Sequence, residues 1–188
     1  MALSIFDSLP PSFVDPITGT PPSNERELSA LLAVFHQQRR IAWDRVKLYG
    51  QNRLFLSADR LFAINGTIGC EYPLFVKSQE QLDIWGDMRA DLVYLQDDRS
   101  AVVLVESKLG SRFTSGGIHP QLGQLGRQAE YLLKCSIPKR YLILLSTAEC
   151  FRTCSYSDTL FSILAYNNRS AEVQGYFMYW EEILSALR

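Results

Sequence analysis

The sequence holds only two histidines, His36 and His119, and four cysteines, Cys70, Cys135, Cys150 and Cys154, in 188 residues. No two cysteines stand in a C-x-x-C pair. A structural zinc site takes about four such ligands, so this composition argues against one, and the cysteines read as free thiols of a reducing compartment. Excess charge is missing as well: Lys+Arg 19 against Asp+Glu 20 leaves a net charge of −1. A protein held on nucleic acid by charge alone is usually basic, so any grip on phosphates must come from a local face. No apolar run approaches the roughly 20 residues of a membrane span. The start, MALSIFDSLPPSF, has neither a cationic opening nor a long apolar stretch. No signal peptide and no membrane partner are therefore expected, and a cytoplasmic location is. There is no G-x-G-x-x-G, no P-loop and no nucleophile elbow, which leaves a small-molecule α/β enzyme without a motif to rest on.

What is present is a large apolar fraction, 47%, enough for the core of one domain. Residues 1–23 hold Pro10, Pro11, Pro16, Pro21 and Pro22 of the eight prolines and read as an arm on the surface. Residues 24–188 read as a single domain. Asn24 stands three residues before Glu27, a capping-box-like start. Leu28, Leu31, Leu32 and Phe35 then follow helical spacing, and the helix is expected to run to about Gly50. RLFLS, RLFAI and YPLFVK are short β-rich pieces, with Asn65-Gly66 as a hairpin signal. ADLVYLQ and AVVLVESK read as two strands joined by the turn 97–100. After a glycine-rich loop, residues 121–134 form a helix. RYLILLS is a buried strand, SDTLFSILAY a helix, GYFMYW a last strand and EEILSALR a closing helix. The order predicts one mixed α/β domain.

The stretch AVVLVESKLG raises the functional question. Four Val and Leu residues run straight into Glu106-Ser107-Lys108. Side chains two apart on a strand share a face, so an acid and a base stand side by side where the strand ends. In the predicted hairpin, Asp91 at the start of the preceding strand lies next to them. On the helix that follows, Gln121, Gln124, Gln128 and Tyr131 gather on one face with Arg127 on its flank.

This constellation resembles the PD-(D/E)XK nucleases, the restriction-endonuclease-like superfamily. Asp91 matches the acid of their second core strand, and Glu106 and Lys108 match the E-x-K of the third. QLGQLGRQAEYL resembles the Q-L-x-R-x-x-x-Y helix of several members, which singles out Gln124, Arg127 and Tyr131. YFMYWEEIL resembles the strand and Trp-led helix that close such domains. The sequence departs from the pattern at Ala90, where a proline is expected before the acid. The resemblance implies an αβββαβ core, with a central mixed sheet flanked by helices. It also implies a metal-binding Glu on the first helix, for which Glu27 fits best and Glu25 second.

What the resemblance implies chemically is Mg²⁺-dependent hydrolysis of phosphodiester bonds, in DNA rather than RNA, with Mn²⁺ as a substitute. Magnesium takes oxygen ligands, here Asp91, Glu106, the Ser107 carbonyl and Glu27. Lys108 would orient the attacking water or meet charge developing on the phosphate. Gln124, Arg127 and Tyr131 would hold the nucleic-acid backbone. The small, near-neutral chain would share its grip with a homodimer or a larger complex. Plainer readings stand beside each of these. Glu106 and Lys108 could be a strand-end ion pair, Asp91 a turn acid, Glu27 a capping acid, Gln124 and Tyr131 a solvated face, and His119 a loop residue. The rival function is a non-catalytic nucleic-acid-binding or protein-interaction module on the same fold.

Overall fold

A computed structural model describes residues 5–51, 55–62, 65–74, 89–109, 123–154 and 156–188. The described residues include a seven-stranded mixed sheet with helices packed against both faces. Its strands are β1 Lys47–Tyr49, β2 Phe55–Ser57, β3 Gly66–Pro73, β4 Arg89–Gln96, β5 Ala101–Lys108, β6 Lys139–Ser146 and β7 Val173–Tyr179. The helices are α1 Glu25–Gln37, α2 Gln124–Lys134, α3 Ala148–Cys154, α4 Tyr156–Ala165 and α5 Trp180–Ser185. The strand order is β2-β1-β7-β6-β5-β4-β3. β3, β4 and β5 pair antiparallel, β5, β6 and β7 parallel, and β1 joins β7 and β2 antiparallel.

The central strands are covered on both faces, which explains why β5 and β6 read as continuous Val and Leu runs without alternation. Val103, Val105, Ile143 and Leu145 face one cluster together with α1, Trp43 and α5. Val102, Leu104, Leu142 and Leu144 face the other, with α2, α3 and α4. The β4–β5 hairpin and the helix of the β5–α2–β6 crossover match the sequence reading. Residues 121 and 122, His119 and the glycine-rich loop lie outside the described residues, as do Phe75, Val76 and Lys77 of YPLFVK.

Several elements differ. The first helix stops at Gln37, because Arg39 takes a left-handed φ of 57°; the residues predicted to continue it form a short 3-10 turn and β1. RLFAI is no strand: Ala58–Arg60 is a 3-10 turn, and Ala63 and Ile64 lie outside the described residues. Asn65-Gly66 does not turn a hairpin. Gly66 opens β3, and the Asn65 carbonyl accepts from the Asp97 N–H. The proline-rich arm is pinned into the core: Phe13 is buried, edge-on to Phe35 at 4.8 Å.

Gly175 is set by packing. A Cβ on Gly175 of β7 would lie 2.2 Å from Leu164 Cδ1 of α4. Gly175→Ala should therefore cost about 1–3 kcal/mol through overpacking. A urea midpoint unchanged from that of the unmodified protein would refute this contact.

Candidate functional site

The C-terminal end of β5 brings together a buried acid, Glu106, and a half-buried one, Asp91. Glu106 is fully buried, and its Oε1 lies 2.6 Å from Lys108 Nζ. Its other oxygen, Oε2, accepts from Gln128 Nε2 of α2 at 2.8 Å. Gln128 is itself buried, and its Oε1 has no hydrogen-bond partner among the described residues. Asp91 sits across from Glu106 on β4. There both ladders of β4 are interrupted. The β3 register steps from Cys70↔Leu92 to Tyr72↔Ala90, and the β5 register begins at Leu92↔Val105. The residue opposite, Glu71, has a left-handed φ of 50°, uncommon for a side-chain-bearing residue. In the gap, Asp91 Oδ2 accepts the Ser107 N–H at 2.6 Å, so a carboxylate stands in for a ladder carbonyl.

α1 adds a further acid. Glu25 in its first turn accepts the Leu109 N–H just past the end of β5, tying the helix start to the site. Next to it, Arg26 Nε meets Glu71 Oε1 at 3.5 Å. Glu27 lies elsewhere: its Oε2 accepts the Ser23 N–H at 2.7 Å and the Ser23 hydroxyl at 2.9 Å, and its own N–H donates to Asn24 Oδ1. This capping box occupies Glu27 on the surface. The acid that α1 brings to the cluster is Glu25.

Electrostatics follow from burial. Burial pushes the Glu106 carboxyl up to about 7, and the Asp91 charge adds to it, while Lys108 and Gln128 pull it down. Asp91 is also raised, chiefly by burial and further by Glu71 and Glu25, against the Ser107 N–H bond and Lys108. Burial alone would lower Lys108, but Glu106, Asp91 and Glu25 together hold it above the usual lysine value. Among the described residues, Glu106, Asp91 and Glu25 thus all act on Lys108. Asp91, Glu106 and Glu25 are hard oxygen donors, the chemistry that Mg²⁺ or Mn²⁺ accepts. Among the described residues no three His, Cys, Asp or Glu side chains are placed to hold a metal ion. Both Glu106 oxygens already have partners, in Lys108 and Gln128.

The remaining predicted residues divide. Ser107 reaches the cluster through its N–H. Tyr131 is half-buried against the cluster of α2, α3 and α4. Gln124 and Arg127 are half-buried in the first turns of α2. The glutamine that α2 presents to the acids is Gln128, one turn after Gln124. Its signal in the sequence is position: Leu125, Gln128, Ala129 and Leu132 follow i, i+3, i+4, i+7, which places one amide on an otherwise apolar stripe. No protein-family model, no curated protein and no solved structure matches the chain.

Proposed function

We propose that the chain is a divalent-metal-dependent nuclease that hydrolyses phosphodiester bonds in DNA through Asp91, Glu106 and Lys108. The observation that carries this reading is Glu106. A fully buried carboxyl, ringed by a lysine, a glutamine and a half-buried acid, costs folding energy and leaves the core no better packed. Left-handed backbone at Glu71, opposite Asp91, is typical of sites kept for chemistry. With β1 and β2, which pair at the far edge beside β7, set aside, the succession α1, β3, β4, β5, α2, β6 is in keeping with the αβββαβ core of the PD-(D/E)XK nucleases, in which the acid and the E-x-K fall on the second and third strands.

When bound, Mg²⁺ would polarise the scissile phosphate and lower the pKa of a water. Asp91 and Glu106 would hold it once Lys108 or Gln128 gives up its Glu106 oxygen. Gln128 fixes the rotamer of Glu106 from the α2 side. Lys108, anchored on Glu106, would set its ammonium charge against the charge building on the phosphate oxygens. Ser107 orients Asp91 through its N–H. The second reading, a non-catalytic module on this fold, draws on the closed state of Glu106, whose oxygens Lys108 and Gln128 both engage.

The test is cleavage of labelled DNA and RNA substrates by the purified chain with Mg²⁺ or Mn²⁺. The expected result is cleavage that EDTA abolishes. Absence of metal-dependent cleavage across single-stranded, duplex and flapped substrates would favour the non-catalytic module.

A further inference from the structure

The face of the sheet that carries Glu106 runs, four strands away, into a shelf of aromatic rings. Residues paired across neighbouring strands point to the same side of a sheet. The register pairs Glu106 of β5 with Leu144 of β6, Leu144 with Phe177 of β7, Phe177 with Tyr49 of β1, and Tyr49 with Phe55 of β2. One transverse row therefore links the buried acid to the sheet edge, but Leu144 between them is buried under the helices of that face, so a nucleic-acid strand would pass along the strand ends. Two residues along, Lys108, Ser146 and Tyr179 form the next row on that side, at the strand ends.

The far part of this face is open. Tyr49, Phe177 and Tyr179, with Phe151 and Phe161 from α3 and α4, line a groove of about 770 Å³. Tyr49 stacks on Phe177 with centroids 5.3 Å apart and planes 15° apart. Tyr179 lies 5.0 Å from Tyr49, and Phe55 6.4 Å on its other side. Phe55 is 59% exposed. Cations flank the rings: Lys47 Nζ is 4.9 Å from the Phe55 centroid, and the exposed Arg152 lines the groove.

We propose that this shelf stacks the unpaired bases of a single-stranded nucleic acid whose backbone continues to the Glu106–Lys108 end of the same face. The proposal rests on the phosphodiesterase reading above and names its substrate class. Base–aromatic stacking tolerates any sequence and needs bases that are not already paired. It also supplies the grip that a net charge of −1 does not. A single strand can turn its phosphates toward Lys47 and Arg152 and away from Asp158 and Glu182, the acids beside the rings. With strands about 4.8 Å apart, Phe177 stands roughly 10 Å and Phe55 roughly 20 Å from the Glu106 column. A few nucleotides cover that distance.

The experiment is fluorescence anisotropy of a dye-labelled oligodeoxythymidine titrated with the full chain in EDTA, so that binding is read without cleavage. Phe55→Ala should weaken binding about 10-fold, the loss of one stacked base, and Phe55→Trp should restore it. Because Phe55 is exposed, its loss does not disturb the core. Phe161→Leu, which keeps the apolar volume and removes a ring, should also weaken binding. A blunt duplex should compete poorly. The proposal is overturned if both ring variants bind like the unmodified chain, or if duplex competes as well as single strand. It is also overturned if the chain does not bind the oligonucleotide and instead self-associates in a Phe55-dependent way, the mark of a protein-contact surface. Ring-dependent binding without metal-dependent cleavage would leave the shelf standing and remove the nuclease reading. Cleavage with ring-independent binding would do the reverse.

Discussion

Lys108→Ala should lower metal-dependent cleavage by on the order of 10²–10³, the typical worth of one donor aimed at developing charge. Its affinity for uncleaved strand should stay close to that of the unmodified protein, because backbone affinity is a sum over many contacts. Two routes could produce the loss, and pH separates them. Lys108 is the close cation that lowers Glu106, so removing it pushes that carboxyl further up and leaves more of it protonated at neutral pH. If Lys108 served only to keep Glu106 ionised, raising the pH would restore cleavage in the variant. If it donates to the transition state, cleavage stays low at every pH. The transition-state role is the one expected, since Lys108 stays charged across the neutral range. Glu106→Ala should also abolish cleavage, but by losing metal. Calorimetric titration with Mn²⁺ should show binding retained in Lys108→Ala and lost in Glu106→Ala. Cleavage by Lys108→Ala at the unmodified rate would sink the assignment.

The hairpin that presents these residues was legible because its signals are local. An apolar run ending in E-x-K, a four-residue turn and a preceding strand beginning with an acid need no knowledge of the rest of the chain. The order of helix, strands, helix and strand was legible for the same reason. The acid that α1 contributes was harder. Glu25 and Glu27 sit two residues apart in one helical turn, and the capping pattern that marks Glu27 in the sequence is what occupies it on Ser23. Glu25 is chosen by the position of Leu109, a contact across 84 residues. Gln128 was visible as one of a set of glutamines. Its burial against Glu106 depends on how α2 is rotated over β5, and helical spacing alone leaves that rotation to within a neighbouring position. β1 was hidden inside an apparent helix, because three residues are too few for a period to show and the left-handed turn at Arg39 has no glycine to announce it. The aromatic shelf is a property of register. Phe55, Tyr49 and Phe177 are scattered in the sequence, and only the pairing of β2, β1 and β7 sets them in one row.

Removing the charge from Glu106 should stabilise the protein, and increasingly so as pH rises. The sign follows from proton binding. Glu106 has a carboxyl near 4.5 in the unfolded chain and about 7 in the folded one. Between those values the folded state holds the proton more tightly than the unfolded state, so stability falls as pH rises through this window. Below about 4.5 the penalty is absent, and above about 7 it is complete. At 1.36 kcal/mol for each pH unit of difference, the full penalty is on the order of 3 kcal/mol, or roughly 6–12 °C in Tm for a chain of this size. Asp91, also raised, adds a penalty of the same sign. His36 acts the other way. Burial lowers its pKa, and its Nδ1 accepts the Trp43 indole N–H at 2.9 Å, so it favours the folded state as pH rises toward 6.5. A single melting curve mixes these terms, whereas the difference between Glu106→Gln and the unmodified protein removes His36, which lies on α1 away from β5. That difference should be small at pH 4.5 and should grow to its plateau by pH 7–8. A divalent cation bound to ionised Asp91 and Glu106 would oppose the trend, so Mg²⁺ should raise the Tm of the unmodified chain more at pH 8 than at pH 5 and leave Glu106→Gln nearly unmoved. Parallel stability curves for the two proteins across this range would mean that Glu106 ionises freely, and the buried, charge-loaded site inferred here would be wrong.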